Sequence, residues 1–365
     1  MDELKLIRAP HKYLQGAYAM ESFYKETKEL GESFLFIASE SGYKYCKESI
    51  EKSFGESDAK RRYEIFGGIS SVSEIEKMQQ IVEEDDIDVV VGLGGGSAID
   101  TAKATAYYSN RPVVILPTIV ATDAPCTGLS VIYNDDGSFN KYIFYPNNPD
   151  IVIVDSNIIV NAPVKFIVAG MGDALATYFE WRAAKRTGSL SLEQGGISNA
   201  AGALCTLCFE TLLEYGLQAK LAVERKIVTP AVDAIIEAAT YLSGVGADNG
   251  GLAAAHSIYN GVSGIEGNES MHGDVVAYGT IAQLILEGAN QDEIDKVIEF
   301  CYSVGLPITL KEIGIEDRED LMIAATKACA EGESIHNLPD EMTPKKVFDA
   351  MILADALGSE FYSLY

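Results

Sequence analysis

Along the first 160 residues the apolar positions arrive in short unbroken runs separated by stretches of helical periodicity. SFLFIA (33–38), YEIFGG (63–68), DVVVGLGG (88–95), PVVILPT (112–118), LSVIYND (129–135) and DIVIVD (150–155) are such runs. Continuous Val and Ile, interleaved with helices, predict parallel strands buried on both faces and hence a doubly wound α/β domain. From NAPVKFIVAG onward the strands stop. Apolar positions then recur at helical spacing over 165–186, 194–216, 229–244, 249–263, 274–289, 292–304, 317–331 and 343–357, which predicts an all-α domain. SNIIVNAP (156–163) supplies the break, with a proline placed to open a helix. The expected organisation is an α/β domain over residues 1–160 and an α-helical domain over residues 161–365.

Composition narrows the partners. With 28 Lys and Arg against 54 Asp and Glu, the formal charge of −26 repels nucleic acids and anionic membrane surfaces. The first residues show no apolar stretch behind a basic one, and no run reaches 18 apolar residues without Gly, Pro or polar breaks, so a soluble, cytoplasmic protein is expected. Six cysteines in 365 residues give no disulfide framework. Cys205 and Cys208 form a lone CxxC at i, i+3 on an apolar helix and read as buried filler.

VVVGLGGGSAIDTAKATAYY (89–108) is a strand, a glycine loop and a helix. Such a loop lets backbone approach a ligand, and the first-turn N–H groups with the helix dipole suit a diphosphate. Ser97 and Asp100 match a capping box, which would start the helix at the loop's end. The pattern is incomplete: Gly92, Gly94 and Ser97 fill the places of G-x-G-x-x-G, so a tight structural turn competes with a dinucleotide site.

Two of the four histidines, His256 and His272, fall in GGLAAAHSIYNGVSGIEGNESMHGDVVAYG (250–279). They read either as satisfied core residues or as metal ligands. Asp173 in AGMGDALATYFE (169–180) could be a third ligand or a helix N-terminal carboxylate. Asp, His and His with an open position form a catalytic zinc arrangement able to polarise an alcohol oxygen.

Several motifs in one order carry a resemblance: GGGSAIDTAKA (94–104), PTIVATDAPCTGLSVIYNDDG (117–137), NNPDIVIVDSNII (147–159), AGMGDALATYFE, VTPAVDAIIEA (228–238), GGLAAAHSIYNG (250–261), MHGDVVAYGT (271–280) and AEGESIHN (330–337). Nearly end to end, the chain resembles the zinc-dependent glycerol dehydrogenase branch of the iron-containing alcohol dehydrogenase family, which has the dehydroquinate synthase-like fold. The resemblance implies an N-terminal α/β dinucleotide domain and a C-terminal helical domain, with a small polyol as substrate. It places metal ligands on Asp173, His256 and His272, and the polyol-contacting aspartate on Asp123. It places dinucleotide contacts on Gly94, Gly95, Gly96, Ser97 and Ala98, on Thr118 and Ala121, and on Thr127, Leu129 and Tyr133. It further implies NAD as cofactor and a homo-oligomer, often an octamer.

Two departures bear on chemistry. Iron-dependent relatives carry a histidine one helical turn after the aspartate, where this chain has Thr177, which favours zinc over iron. Where these dehydrogenases carry an acidic residue for the adenosine ribose, FIASES places Ser39, which leaves room for NADP. Three rivals stay open: a polyol-phosphate dehydrogenase, a dehydroquinate-synthase-like cyclase and a non-catalytic nucleotide-binding relative. The first two handle phosphorylated substrates, yet no Lys or Arg lies between Lys226 and Lys296.

Overall fold

The structure, a computed structural model, describes residues 4–364. Its strands are β1 (Lys12–Gly16), β2 (Ser33–Ala38), β3 (Lys60–Ile65), β4 (Val89–Gly94), β5 (Val113–Pro117), β6 (Leu129–Tyr133), β7 (Phe139–Phe144) and β8 (Ile151–Asp155). In the first part of the chain the helices are α1 (Phe23–Thr27), α2 (Glu40–Phe54), α3 (Val72–Glu84), α4 (Gly96–Ser109) and α5 (Ser156–Asn161). The remainder is helical: α6 (Val164–Thr187), α7 (Asn199–Glu224), α8 (Pro230–Glu237), α9 (Ser243–Gly250), α10 (Ala254–Val262), α11 (His272–Leu286), α12 (Gln291–Val304), α13 (Arg318–Ala328) and α14 (Pro344–Leu364).

Six strands form one parallel sheet in the order β1-β8-β5-β4-β2-β3. Its unbroken apolar runs follow from burial on both faces. Phe34, Phe36, Val89 and Val91 enter one core layer, and Leu35, Ile37 and Val90 enter the other with Met78 and Ala102. The β6 run was expected as another such strand. It instead pairs antiparallel with β7 in a separate ribbon, and its burial alternates, as befits a half-buried strand. β3 begins three residues before the expected run, as the sheet edge, with Arg61 and Arg62 as edge charges and Tyr63 stacked 4.5 Å from Phe36.

Two compact units emerge. One gathers Arg8–Ile167 around the sheet together with Leu221–Gly244. The later segment is tied in by polar bonds: Gln15 Nε2 donates to the Asp233 carbonyl (2.8 Å), Ser156 Oγ donates to Asp233 Oδ1 (2.5 Å), and Tyr13 and Thr240 share a hydroxyl bond (2.8 Å). The other unit holds a stretch ending at Ile7, Val168–Lys220 and the described chain from Val245 onward. It is built on α10, α11, α13 and α14, with Tyr278 fully buried and its hydroxyl donating to the Met351 carbonyl. The helix expected over 229–244 continues further, because α8 and α9 are joined by a π-helical stretch, Ala238–Leu242.

Cys205 and Cys208 are buried thiols on α7, outside any disulfide, and burial pushes the Cys205 thiol up to about 12, as filler requires. Gly202, on the same helix, lies so close to Trp181 that a Cβ there would come 2.3 Å from the indole. Among the described helices, α7 alone is long and apolar enough to cross a membrane by length and composition.

Candidate active site

Asp173, His256 and His272 meet. Asp173 Oδ1 lies 3.0 Å from His272 Nε2 and 3.3 Å from His256 Nε2, and the three candidate donor atoms fall within 4.8 Å of one another. This is the one Asp/Glu/His/Cys cluster of that compactness among the described residues. Three helices build it. Asp173 sits mid-way along α6, so the helix-terminal alternative does not hold; His256 lies in the first turn of α10; His272 opens α11.

Glycines let two of those helices come close. A Cβ on Gly273 would fall 1.8 Å from the Ala169 carbonyl oxygen, and one on Gly172 would fall 2.2 Å from the Gly273 carbonyl oxygen. Each glycine neighbours a member of the triad in sequence, so this contact sets the Asp173 to His272 distance.

The electrostatics suit a cation. Burial alone would raise the Asp173 carboxyl, but the His272 and His256 imidazoles outweigh it and hold the group far below the usual carboxylate range. Burial likewise disfavours charge on His256, and Glu180 followed by Asp173 outweighs it, so that ring is pushed well above its ordinary value. Two imidazole nitrogens converging on one carboxylate oxygen offer a nitrogen, nitrogen, oxygen donor set that a divalent ion can occupy in place of protons. Thr177, one turn after Asp173 on α6, brings no imidazole to the set, and its Cγ2 would lie 2.9 Å from a Cβ on Gly246. The other two histidines lie elsewhere, His11 beside Asp150 at 3.3 Å and His336 near the Ala330 carbonyl at 3.2 Å.

In the sheet unit, Gly94, Gly95, Gly96, Ser97 and Ala98 form the turn from β4 into α4. Thr118 follows β5 and donates its N–H to the Gly94 carbonyl at 3.0 Å; Ala121 lies in the same following loop. A Cβ on Gly95 would come 2.9 Å from Ile119, so the two loops abut. The expected capping box is absent: the N-cap is Gly95, and Ser97 lies inside the first turn. Asp100 instead accepts from the Val131 N–H (3.1 Å) and pairs with buried Lys103 (3.1 Å). Lys103 Nζ also donates to the carbonyls of Ala124 (3.0 Å) and Leu129 and lies 3.4 Å from Thr127 Oγ1. It therefore fastens the segment holding Thr127 and Leu129 to α4. Tyr133 ends β6, where its N–H donates to the Ser70 carbonyl at 2.9 Å. Asp123 accepts from Ser243 Oγ at 2.9 Å. Ser39 is the N-cap of α2, accepting from the Gly42 N–H, and its Oγ would lie 3.1 Å from a Cβ on Gly94.

A family model described as iron-containing alcohol dehydrogenase matches residues 10–156. A glycerol dehydrogenase of Thermotoga maritima is 48% identical over 354 residues, covering 96% of each chain, and one of Escherichia coli O6:H1 is 44% identical over 360 residues, covering 98% of each. The chain belongs to the iron-containing alcohol dehydrogenase family. The crystal structure of glycerol dehydrogenase from Schizosaccharomyces pombe, 36% identical, superposes on this family member with a TM-score of 0.95 and covers all of this chain and 94% of that one.

Sequence reasoning overlooked four residues that surround the candidate positions in this iron-containing alcohol dehydrogenase: Lys103, Glu180, Ser243 and Gln283. Only Lys103 carried a local signal, a charge at i+3 from Asp100 in an alanine-rich helix.

Proposed function

We propose that this protein reversibly oxidises glycerol, or a similar small vicinal diol, to the hydroxyketone, with Asp173, His256 and His272 holding a zinc ion. The reaction passes a hydride from the carbinol carbon to a nicotinamide dinucleotide and releases a proton from the hydroxyl. The convergence of the Asp173, His256 and His272 donors within 4.8 Å, in a chain similar over its whole length to glycerol dehydrogenases, carries the reading. When bound, the ion supplies Lewis acidity toward an alcohol oxygen. Thr177, where iron-dependent relatives carry a histidine as fourth ligand, supports zinc over iron, although this donor set is one ferrous iron also accepts.

Asp123, held by Ser243, orients a substrate hydroxyl by accepting its hydrogen bond. Gly94 to Ala98, Thr118 and Ala121 receive the diphosphate of the dinucleotide on backbone amides and the α4 N-terminus. Thr127, Leu129 and Tyr133 line its further course. NAD is the expected cofactor, and Ser39, which carries no charge to repel a 2′-phosphate, supports use of NADP as well. The absence of Lys and Arg between Lys226 and Lys296 supports an uncharged substrate over a phosphorylated one. The protein acts in the cytoplasm as a homo-oligomer; Leu207, Leu213 and Leu217, exposed along α7, support an interface between copies.

The test is turnover of glycerol by metal-stripped protein with zinc or ferrous iron restored, under NAD⁺ and NADP⁺ in parallel and with glycerol 1-phosphate as the competing substrate. Zinc-restored oxidation of glycerol is the expected result. Preference for the phosphorylated substrate, or undiminished turnover without metal, overturns the reading.

A further inference from the structure

Helix α10, which carries His256, begins without a cap of its own. Its N-cap is Ala253, whose side chain accepts nothing, yet the amides of Ala253, Ala254, Ala255 and His256 all need acceptors in a buried place. Two side chains from other helices supply them. Glu180 Oε1 accepts from the N–H groups of Ala253 (2.9 Å) and His256 (3.0 Å). Gln283 Oε1 accepts from those of Ala254 (2.9 Å) and Ala255 (3.1 Å). Neither side chain reaches solvent.

Glu180 then does a second thing. Its other oxygen lies 2.6 Å from His256 Nδ1, so one carboxylate grips both the backbone and the ring of the same residue. Sequence spacing explains how this arises. Glu180 follows Asp173 by seven residues on α6, and Gln283 follows His272 by eleven on α11. At about 3.6 residues per turn both intervals return to the same helix face. Each helix that brings one member of the triad therefore also brings an acceptor to the start of the helix carrying the third.

We infer that Glu180 is a positioning residue for His256, holding its ring in the Nδ1–H tautomer with Nε2 presented to the metal, and that Gln283 anchors the helix start on which this depends. The inference rests on the triad being the metal centre. A carboxylate can only accept, so the proton it shares with the ring sits on Nδ1, and the Nε2 lone pair is left for coordination. The substitution Glu180→Gln turns this around. Its amide oxygen must still serve the two backbone N–H groups, so its NH₂ faces Nδ1 and donates to it. The ring proton then moves to Nε2, the atom needed for binding.

Two measurements test this. Zinc affinity is read by competition with a chromophoric chelator for the intact protein, Glu180→Gln and Gln283→Met. Nitrogen-15 spectra of the four histidines report the His256 tautomer with and without zinc. The expected result is a folded Glu180→Gln protein whose zinc affinity falls by about 10- to 100-fold and whose metal-free His256 keeps a proton on Nε2, while the zinc-loaded intact protein carries its single ring proton on Nδ1. Gln283→Met, which removes an acceptor without offering a donor to the ring, loses thermal stability and keeps the Nδ1–H tautomer. Zinc binding by folded Glu180→Gln equal to that of the intact protein overturns the inference. Should Glu180→Gln fail to fold, the intact protein decides, because a zinc-loaded His256 with Nε2–H overturns it and one with Nδ1–H upholds it. Failure of the intact protein to bind zinc overturns the triad reading first, and this inference with it.

Discussion

Ser243 donates its hydroxyl to Asp123 Oδ2 at 2.9 Å, joining residues 120 positions apart in the chain. The geometry depends on a local irregularity. Ser243 follows the π-helical stretch Ala238–Leu242, and a Cβ on neighbouring Gly244 would come 2.8 Å from the Asp123 carbonyl oxygen. A π-helical insertion changes the facing of the residues after it, which is why such bulges gather at working positions. Removing the donor with Ser243→Ala forfeits about 1 kcal/mol of orientation. With Asp123 accepting from the substrate, kcat/KM for glycerol falls about fivefold, whereas thermal unfolding hardly moves. Steady-state kinetics on the metal-loaded protein check this, and unchanged kcat/KM would mean that Asp123 is oriented without Ser243.

Lys103 makes a second prediction, about stability. It is almost fully buried, paired with Asp100 and bonded to the carbonyls of Ala124 and Leu129. Breaking a buried pair by removing one partner leaves a charge and several acceptors unsatisfied. Lys103→Met should therefore cost about 3 kcal/mol in urea unfolding. Pairing it with Asp100→Asn should recover part of the loss, because the charge left behind is then gone while an acceptor remains for the Val131 N–H.

How far the sequence carries can be judged from particular residues. The triad was half legible: its members sit among small residues, yet each also had a core or helix-terminal reading, and the resemblance to a family named them as one set. The central strands were legible because burial on two faces leaves a continuous apolar run. β1 was not read as a strand: KYLQG is only partly buried at the sheet edge, and its partner β8 lies far along the chain, so nothing local marks it. The β6 ribbon was misplaced although its turn was visible in Asp136–Gly137, with Gly137 at φ 86°. Ser97 was read as a cap from spacing alone, and the loop instead starts its helix on Gly95. Glu180 and Gln283 left no trace because their partners are backbone amides on another helix, and a pattern of side chains does not record those.

Asp88 makes a prediction about pH. Its Oδ2 accepts from the N–H groups of Glu32 (2.9 Å) and Ser33 (3.0 Å), joining the starts of β4 and β2. The Glu32 amide, aided by Ser33 and Arg111, lowers its pKa below the ordinary carboxylate value against a smaller opposing effect of burial. A pKa lower in the folded chain contributes stability above the unfolded value, about 3.9, and that contribution is lost as pH falls through the folded value. Asp88→Asn should thus be less stable than the parent at neutral pH, and the gap should close as the medium is taken below about pH 4. Urea titrations at the two ends measure it, and a gap that widens in acid would contradict the assignment.

Ser39 offers the sharpest test of cofactor choice. Its Oγ caps α2 by accepting from the Gly42 N–H at 3.0 Å, and it lies against Gly94 of the glycine loop. Aspartate is as good a cap as serine, so Ser39→Asp should leave α2 and the melting temperature nearly unchanged. What it adds is a charge where the adenosine ribose of the cofactor is proposed to lie. That charge accepts from a ribose hydroxyl and repels a 2′-phosphate. The ratio of kcat/KM for NAD⁺ over NADP⁺ should then rise by about tenfold or more, chiefly through a higher KM for NADP⁺. Parallel titration of both cofactors at saturating glycerol reads the ratio directly. A ratio that stays at its parent value would show that the ribose does not approach the start of α2, and the dinucleotide path proposed along Gly94 to Ala98 would have to be redrawn.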